Sequence, residues 1–315
     1  MTFADEAAFT GDPTSEDATM KEASAGGRMP PSVNYHLWEP CNMRCRFCFA
    51  TFRDVVSTVL PEGHLPCDEA ERLVAMLADC FDKITFAGGE PTLCPWLDVL
   101  IRLAAEKGMT TMLVTNGSLL DEARIEALAP HLHWLTLSVD SALETTHRRL
   151  GRSVRGKPIR AEHYVRLADL ARRAGVRVKL NTVVTTLNAG EDMRSLVAAI
   201  QPERWKILRV LSVVDQNGGK VDSLLCTDDA FRGFVERHRA VEASRVVLVP
   251  EDNDDMRGSY AMIDPAGRFF DNVDGRHRYS APILSAGVRR AWSDVRFMPA
   301  RFEDRGGDYD FRTPR

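Results

Sequence analysis

Three cysteines fall within eight residues in CNMRCRFCF, at CxxxCxxC spacing: Cys41, Cys45 and Cys48. The other four, Cys67, Cys80, Cys94 and Cys226, are scattered. Structural zinc sites take four ligands, commonly from paired CxxC elements, and no second CxxC or His-rich partner exists in the chain. Iron–sulfur clusters are also held by thiolates, and a four-iron cluster bound by three cysteines leaves one iron open to an external ligand. An open coordination position is what separates a catalytic metal site from a structural one. Cys80 lies on the apolar face of a predicted helix and reads as core filling.

A second constellation is cationic. Lys179 and Asn181 alternate on VRVKLNTVV and so point the same way, as do Arg204 and Lys206 around Trp205. Either cation alone could extend to the surface or meet an acid. Two such pairs near adjacent strand ends favour a polyanion, because buried charge is costly unless paired. Two apparent motifs carry nothing. GRSVRGKP nearly spells a phosphate-binding GxxxxGK[ST], but Pro158 stands at the Ser/Thr position and the segment follows the helical HRRL. PEDNDDM lacks the spacing and bidentate Glu of a calcium loop and reads as a solvated loop.

The elements that must position these groups alternate. VNYHLWE is a strand running into the cysteine loop, and DEAERLVAMLADCF is an amphipathic helix behind an Asp68 cap. KITFAGGEP, TTMLVTNGS and WLTLSVDS are strands separated by the helices WLDVLIRLAAEKG and DEARIEALAPHL. AEHYVRLADLARRAG, VRVKLNTVV, EDMRSLVAAI and WKILRVLSV complete six βα-like units. Gly108 and Gly175 are left-handed helix stops. Six such units without a dinucleotide-binding glycine fingerprint suit an α/β barrel or partial barrel over 31–225. Cys41 to Cys48, Gly88 to Glu90, Asn116, Ser138, Asn181 and Arg209 fall at or just past strand ends, on one face. Residues 226–315 are less regular, with a hairpin around Pro265-Ala266-Gly267, and are expected to form an α+β extension capping the barrel mouth and completing the pocket.

Residues 1–30 hold six acids (Asp5, Glu6, Asp12, Glu16, Asp17, Glu22) against Lys21 and Arg28 and read as a disordered acidic tail. That tail accounts for the whole net charge of -4, so the fold itself is near neutral and carries no general nucleic-acid footprint. No apolar run approaches the roughly 18 residues that span a bilayer, and the N-terminus lacks the features of a signal peptide. Clustered thiols and an odd cysteine count suit a reducing compartment, so a cytoplasmic location is expected.

CxxxCxxC with Phe47 before its last cysteine, GGEP (Gly88 to Pro91) and TNGS (Thr115 to Ser118) together resemble the radical S-adenosylmethionine (SAM) enzymes. That resemblance implies a partial (βα)6 TIM-like barrel and a 4Fe-4S cluster on Cys41, Cys45 and Cys48. It also implies S-adenosylmethionine chelated to the unique iron with its amine near the GGE segment, and a 5′-deoxyadenosyl radical made by one-electron cleavage. SVNYHLWEPCNMRCRFCF, FAGGEP, VTNGSL, VKLNTVVTTLNAGEDM, LVPEDNDDMRGSY and RGGDY resemble more narrowly the viperin-like enzymes from Pro31 to about Tyr309.

The narrower resemblance implies dehydration of a nucleoside triphosphate (CTP, UTP or GTP) to its 3′-deoxy-3′,4′-didehydro analogue, an antiviral chain terminator. It implies that Gly88, Gly89, Glu90, Asn116, Ser138 and Arg152 hold the S-adenosylmethionine. Asn34, Lys179, Asn181, Arg204 and Lys206 would hold the nucleotide, and Tyr260 would deliver the final hydrogen or proton. A basic phosphate contact of relatives falls at His277 or at its neighbours Arg276 and Arg278. Magnesium can accompany the nucleotide, and a reduced flavodoxin or ferredoxin would supply electrons to an enzyme expected to be monomeric, without nucleic-acid or membrane partners. The C-terminus YDFRTPR lacks the aromatic ending of vertebrate relatives, and no membrane-targeting amphipathic helix precedes the core. Two readings compete: a radical SAM enzyme acting on a peptide or another nucleotide, and a non-enzymatic iron–sulfur protein. The first commonly carries a second cysteine set, whereas only Cys226 follows Cys94; the second leaves GGEP and the cationic pairs unexplained.

Overall fold

The computed structural model describes residues 28–312; most of the expected acidic tail therefore lies outside the described residues. Seven strands run parallel in chain order: β1 (Ser32–Trp38), β2 (Lys83–Gly88), β3 (Thr110–Thr115), β4 (Trp134–Ser138), β5 (Arg177–Val184), β6 (Arg204–Arg209) and β7 (Val247–Glu251). The crossovers carry α1 (Arg53–Thr58), α2 (Cys67–Ala78), α3 (Leu97–Glu106), α4 (Glu122–Leu128), α5 (Glu144–Leu150), α6 (Ala161–Arg173), α7 (Arg194–Ile200) and α8 (Asp228–His238). At the other edge β8 (Ala261–Ile263) joins β1 in parallel, and β9 (Arg268–Asp271) and β10 (Arg278–Pro282) follow antiparallel. The ten strands form one open sheet.

Side-chain alternation sorts the strands into two faces. Outward residues such as Tyr35, Leu37, Ile84, Phe86, Leu135, Leu137, Leu180, Trp205 and Ile207 are buried beneath the helices. The helices answer with their own apolar stripes, Leu73, Val74 and Leu77 of α2 and Leu167, Ala168 and Ala171 of α6 among them. Each fully buried leucine contributes about 1.5–3 kcal/mol, so this layer carries the fold. That leaves the inner face free to be polar: Ser32, Asn34 and His36 of β1, Lys83 and Thr85 of β2, Lys179 and Asn181 of β5, and Lys206 of β6.

One expectation changes. Helix α2 begins at Cys67 behind Pro66, so Asp68 sits in its first turn and favours the helix dipole rather than capping it. The strands of the C-terminal extension hydrogen-bond into the sheet itself at both edges. Its last segment crosses the strand starts: the Trp134 Nε1 donates to the Phe311 carbonyl at 3.1 Å, and the Lys83 Nζ donates to the Tyr309 hydroxyl at 2.5 Å.

Candidate active site

A cavity of about 950 Å³ runs through the sheet's concave face. Its two ends differ chemically. At the C-terminal ends of the strands, the cysteine loop follows β1 and is braced from two sides. On one side the Arg44 amide donates to the Gly151 carbonyl at 3.2 Å and the Arg46 amide to the Leu150 carbonyl at 2.9 Å. On the other the Gly89 amide donates to the Trp38 carbonyl at 2.6 Å and the Glu90 amide to the Pro40 carbonyl at 3.0 Å. A Cβ at Gly89 would lie 2.0 Å from the Glu39 carbonyl oxygen, and one at Gly151 would lie 2.2 Å from that of Arg44. Both glycines are therefore required by backbone approach.

Cys41, Cys45 and Cys48 are free thiols that all line the cavity. Burial pushes the Cys41 thiol up to about 11 and the Cys45 thiol up to about 12, with neighbouring thiols adding to both. Among the described residues no three thiol, imidazole or carboxylate groups are drawn together as around a bound ion. The donor set nevertheless fits an iron–sulfur cluster: three thiols on one loop, unstable as bare thiolates, gain from ligation by iron, which deprotonates them.

Glu90 is buried and spends its carboxylate on the next strand end. It accepts from the Thr115 hydroxyl at 2.6 Å, the Asn116 amide at 2.8 Å, and the Thr92 amide and hydroxyl at 3.1 and 2.6 Å. Asn116 Nδ2 then donates to Asn42 Oδ1 at 2.9 Å, and Asn42 Nδ2 to Ser118 Oγ at 2.8 Å. GGEP, TNGS and the cysteine loop are thus one hydrogen-bonded unit. Ser138 ends β4 at the cavity wall, and the buried Arg152 is ion-paired with Asp140 and donates to the Ser138 carbonyl at 3.3 Å.

The other end is cationic. Lys179 pairs in register with Arg204, and Asn181 with Lys206. They lie along and near the starts of their strands rather than at the C-terminal ends. Lys83 and Arg305 join them on the cavity wall. Burial, reinforced by the neighbouring cations, holds Lys83 and Lys179 well below the ordinary lysine range. Lys206, lowered to about 8 by burial despite Glu251, donates to the Tyr260 hydroxyl at 2.6 Å. Glu251 is fully buried, accepts from the Tyr260 hydroxyl, pairs with Lys206, and meets Arg305 at 3.4 Å. The Arg305 guanidinium stacks on the Tyr260 ring at 3.7 Å. Arg204 is set back from the cavity wall and stacks on Tyr309 at 4.0 Å. Asn34 faces the cavity on β1, and the buried Asn181 Oδ1 has no partner among the described residues.

His277 does not reach this wall. It packs against Phe52 and Phe270, its Nδ1 3.3 Å from the Tyr279 hydroxyl, while Arg276 and Arg278 are exposed and away from the cavity.

Four residues of the cationic end were not found from the sequence: Lys83, Glu251, Arg305 and Tyr309. Lys83 and Thr85 carry the same i, i+2 polar signal as Lys179 and Asn181, so the same test applied to KITFAGG finds them. Glu251 opens the acid-rich run read as solvated, and nothing local separates it from Asp252 and Asp255, which form the capping box of a short helix over Asn253–Met256. RGGDY, which holds Arg305 and Tyr309, lies mostly outside regular structure and has no periodicity to read.

A model of the radical SAM superfamily matches residues 37–201. Solved structures share the fold: Streptococcus suis SuiB bound to S-adenosylmethionine, with a TM-score of 0.61 at 18% identity over 77% of this chain and 60% of that one. anSMEcpe with bound S-adenosylmethionine gives 0.66 at 16% identity over 88% and 82%. The fold, the cysteine loop and the matched region define the class: the chain belongs to the radical SAM superfamily.

Its sequence relatives are narrower. It is 45% identical to an S-adenosylmethionine-dependent nucleotide dehydratase of Flammeovirga pacifica over 93% of this chain and 100% of that one. It is 46% identical to one of Lacinutrix mariniflava over 90% of this chain, spanning 59% of that protein's length. With the Oncorhynchus mykiss member it shares 34% identity over 91% of this chain and 82% of that one. Within the superfamily the chain belongs to the S-adenosylmethionine-dependent nucleotide dehydratases, the viperin family. Among the described residues no helix is long and apolar enough to cross a membrane.

Proposed function

We propose that the protein dehydrates a nucleoside triphosphate to its 3′-deoxy-3′,4′-didehydro analogue. The observation that carries this is the cationic end of the cavity. Lys206 and Arg305 pair with the single buried carboxylate there, Glu251, while Lys83, Lys179 and Arg204 gather around them with no carboxylate of their own in contact. With all five protonated the formal surplus would be about four positive charges against the roughly four negative charges of a triphosphate, whose binding would draw the lysines to their charged form. Lys83, Lys179 and Lys206 would bind the phosphates directly, with Arg204 and Asn181 in support and Asn34 nearer the nucleoside.

At the opposite end Cys41, Cys45 and Cys48 would hold the 4Fe-4S cluster. The Gly88-Gly89-Glu90 backbone, Asn116, Ser138 and Arg152 would hold S-adenosylmethionine beside it. The two cofactors supply, when bound, an acceptor for one hydrogen atom. A nucleotide anchored by its phosphates at one end would present its ribose toward the other, where in this reading the 4′ hydrogen is the one removed. The 3′ hydroxyl then departs with a proton as water, and one further electron closes the 3′,4′ double bond. Tyr260, between the phosphate-binding Lys206 and the buried Glu251, is placed to pass that electron and proton together. Residues 226–315, which carry Tyr260 and Arg305, complete the substrate pocket of the core over 31–225. A reduced flavodoxin or ferredoxin as donor, a monomeric state and magnesium on the nucleotide fit this reading. Seven free cysteines suit a cytoplasmic location.

The test reconstitutes the cluster anaerobically and supplies S-adenosylmethionine, a reductant and CTP, UTP or GTP separately. 5′-Deoxyadenosine and a nucleotide lighter by one water are expected with at least one triphosphate. If 5′-deoxyadenosine never exceeds the nucleotide-free control, the substrate assignment fails. Cys45→Ala serves as the control that abolishes cleavage.

A further inference from the structure

The outer surface of the cysteine loop carries positive charge that its surroundings do not balance. We infer that this surface is the docking site of an acidic one-electron carrier protein; the inference rests on the cluster assignment above. Within the loop the exposure alternates: Cys45 is half-buried on the cavity wall, while Arg44 and Arg46 on either side of it are exposed. The Arg46 guanidinium donates to the Arg149 carbonyl at 3.4 Å and to Ser223 Oγ at 3.1 Å, which ties the loop to the end of α5. The last turn of α5 presents Arg148 and Arg149, both exposed. Arg53 is exposed at the start of α1, five residues beyond Cys48, and Lys220 is exposed just before the turn that holds Ser223.

None of these six cations is in an ion pair among the described residues. Several exposed arginines elsewhere are paired, as in Arg102–Glu106, Arg173–Asp169, Arg194–Asp192 and Arg232–Asp229, and the unpaired ones there do not gather around one loop. The acids of the neighbourhood are Glu39, half-buried beside Arg44 and Arg53, the exposed Asp215 and Asp222, Asp54, already engaged by Gln216 and Tyr279, and Glu144 of α5, paired with Arg160, against six cations. A basic patch of this kind on a chain of net charge -4 is local by construction.

Two simpler roles cover only part of the patch. Arginines in a last helical turn complement the helix dipole, which accounts for Arg148 and Arg149 but not for Arg44, Arg46 and Arg53 on other segments. Steering the nucleotide into the cavity suits Arg44, Arg46 and Arg53, which reach its rim, but not Arg148 and Arg149, which lie outside its lining. A partner wide enough to touch all of them is a macromolecule. Its position is set by what lies beneath: the loop is the wall between solvent and the thiols, and electron transfer weakens steeply with distance. Opposite charge would speed encounter and set orientation. A flavodoxin in its anionic hydroquinone form gives one electron and becomes the neutral semiquinone. The cluster takes that electron from its 2+ to its 1+ state, and no proton moves.

The test titrates an acidic flavodoxin onto the full chain by calorimetry and, with the cluster reconstituted, follows its bleaching in stopped flow. Raising salt from about 0.01 to about 0.15 M shortens the screening length from roughly 30 to roughly 8 Å and is expected to weaken binding severalfold. Arg148→Glu/Arg149→Glu is expected to raise Kd at least tenfold and to slow reduction by flavodoxin in proportion, with reduction by photoreduced deazariboflavin unchanged. A Kd unaffected by the double substitution overturns the inference. So does equal slowing with both reductants, which would mean a damaged loop. Binding of a short RNA at the patch in preference to flavodoxin also overturns it. Absence of 5′-deoxyadenosine with every triphosphate under deazariboflavin would sink the substrate assignment while leaving the flavodoxin binding and bleaching readable.

Discussion

Replacing Glu251 by glutamine isolates the charge balance of the cationic end. The side chain is fully buried, and its carboxylate pairs with Lys206, meets Arg305 at 3.4 Å and accepts from Tyr260. Glutamine keeps the shape and can still accept from the tyrosine, so no cavity is opened. What is lost is the negative charge, and stranding a buried partner costs about 3–5 kcal/mol. Lys206 has an escape. Already lowered to about 8, it can shed its proton near neutral pH for about 1.4 kcal/mol per unit. Arg305 has none, since a guanidinium stays charged. The expected loss is therefore about 2–4 kcal/mol without nucleotide, and at about 2–4 °C per kcal/mol the melting temperature falls by roughly 4–16 °C. Urea unfolding and thermal melts measure this directly. Added triphosphate should restore more stability to the variant than to the parent, because the phosphates then supply the missing anion. A nucleotide-free variant within about 0.5 kcal/mol of the parent would refute the reasoning, since that is the range of a neutral surface change.

Three further outcomes follow from the same geometry. Gly89→Ala should fold but fail to assemble the loop, because its Cβ would sit 2.0 Å from the Glu39 carbonyl oxygen; iron and sulfide per chain should fall severalfold with circular dichroism unchanged. Lys206 loses its charge as pH rises through about 8, so KM for the triphosphate should climb up to roughly tenfold per unit above that point. The bound phosphates draw the lysine back to its charged form, so kcat stays flat over the same range, and Lys206→Arg should remove the alkaline limb from KM. Tyr260→Phe should leave 5′-deoxyadenosine formation intact while cutting the dehydrated nucleotide at least tenfold, and undiminished product would exclude the relay role.

Much of this was written in short stretches of chain. CxxxCxxC, GGEP and TNGS are local patterns whose residues do their work within a few positions of one another, so spacing alone identifies them. Period-two alternation likewise put Lys179 with Asn181 and Arg204 with Lys206 on common faces, because strand geometry leaves no choice. What the chain could not announce is which distant residues meet. Glu251 is one acid among four in EDNDD, and only the parallel pairing of β7 with β6 carries it beneath Lys206. Arg204 has the right alternation yet stands behind Tyr309, a residue more than a hundred positions away. His277 looked like a phosphate ligand by its place in the chain, but Phe52 and Phe270 enclose it. The loop of three thiols, with its open fourth position, could be found from sequence because ligation is local. The charge that selects what is brought to it is a sum over four strands and a C-terminal segment, and sums of that kind exist only after the chain has folded.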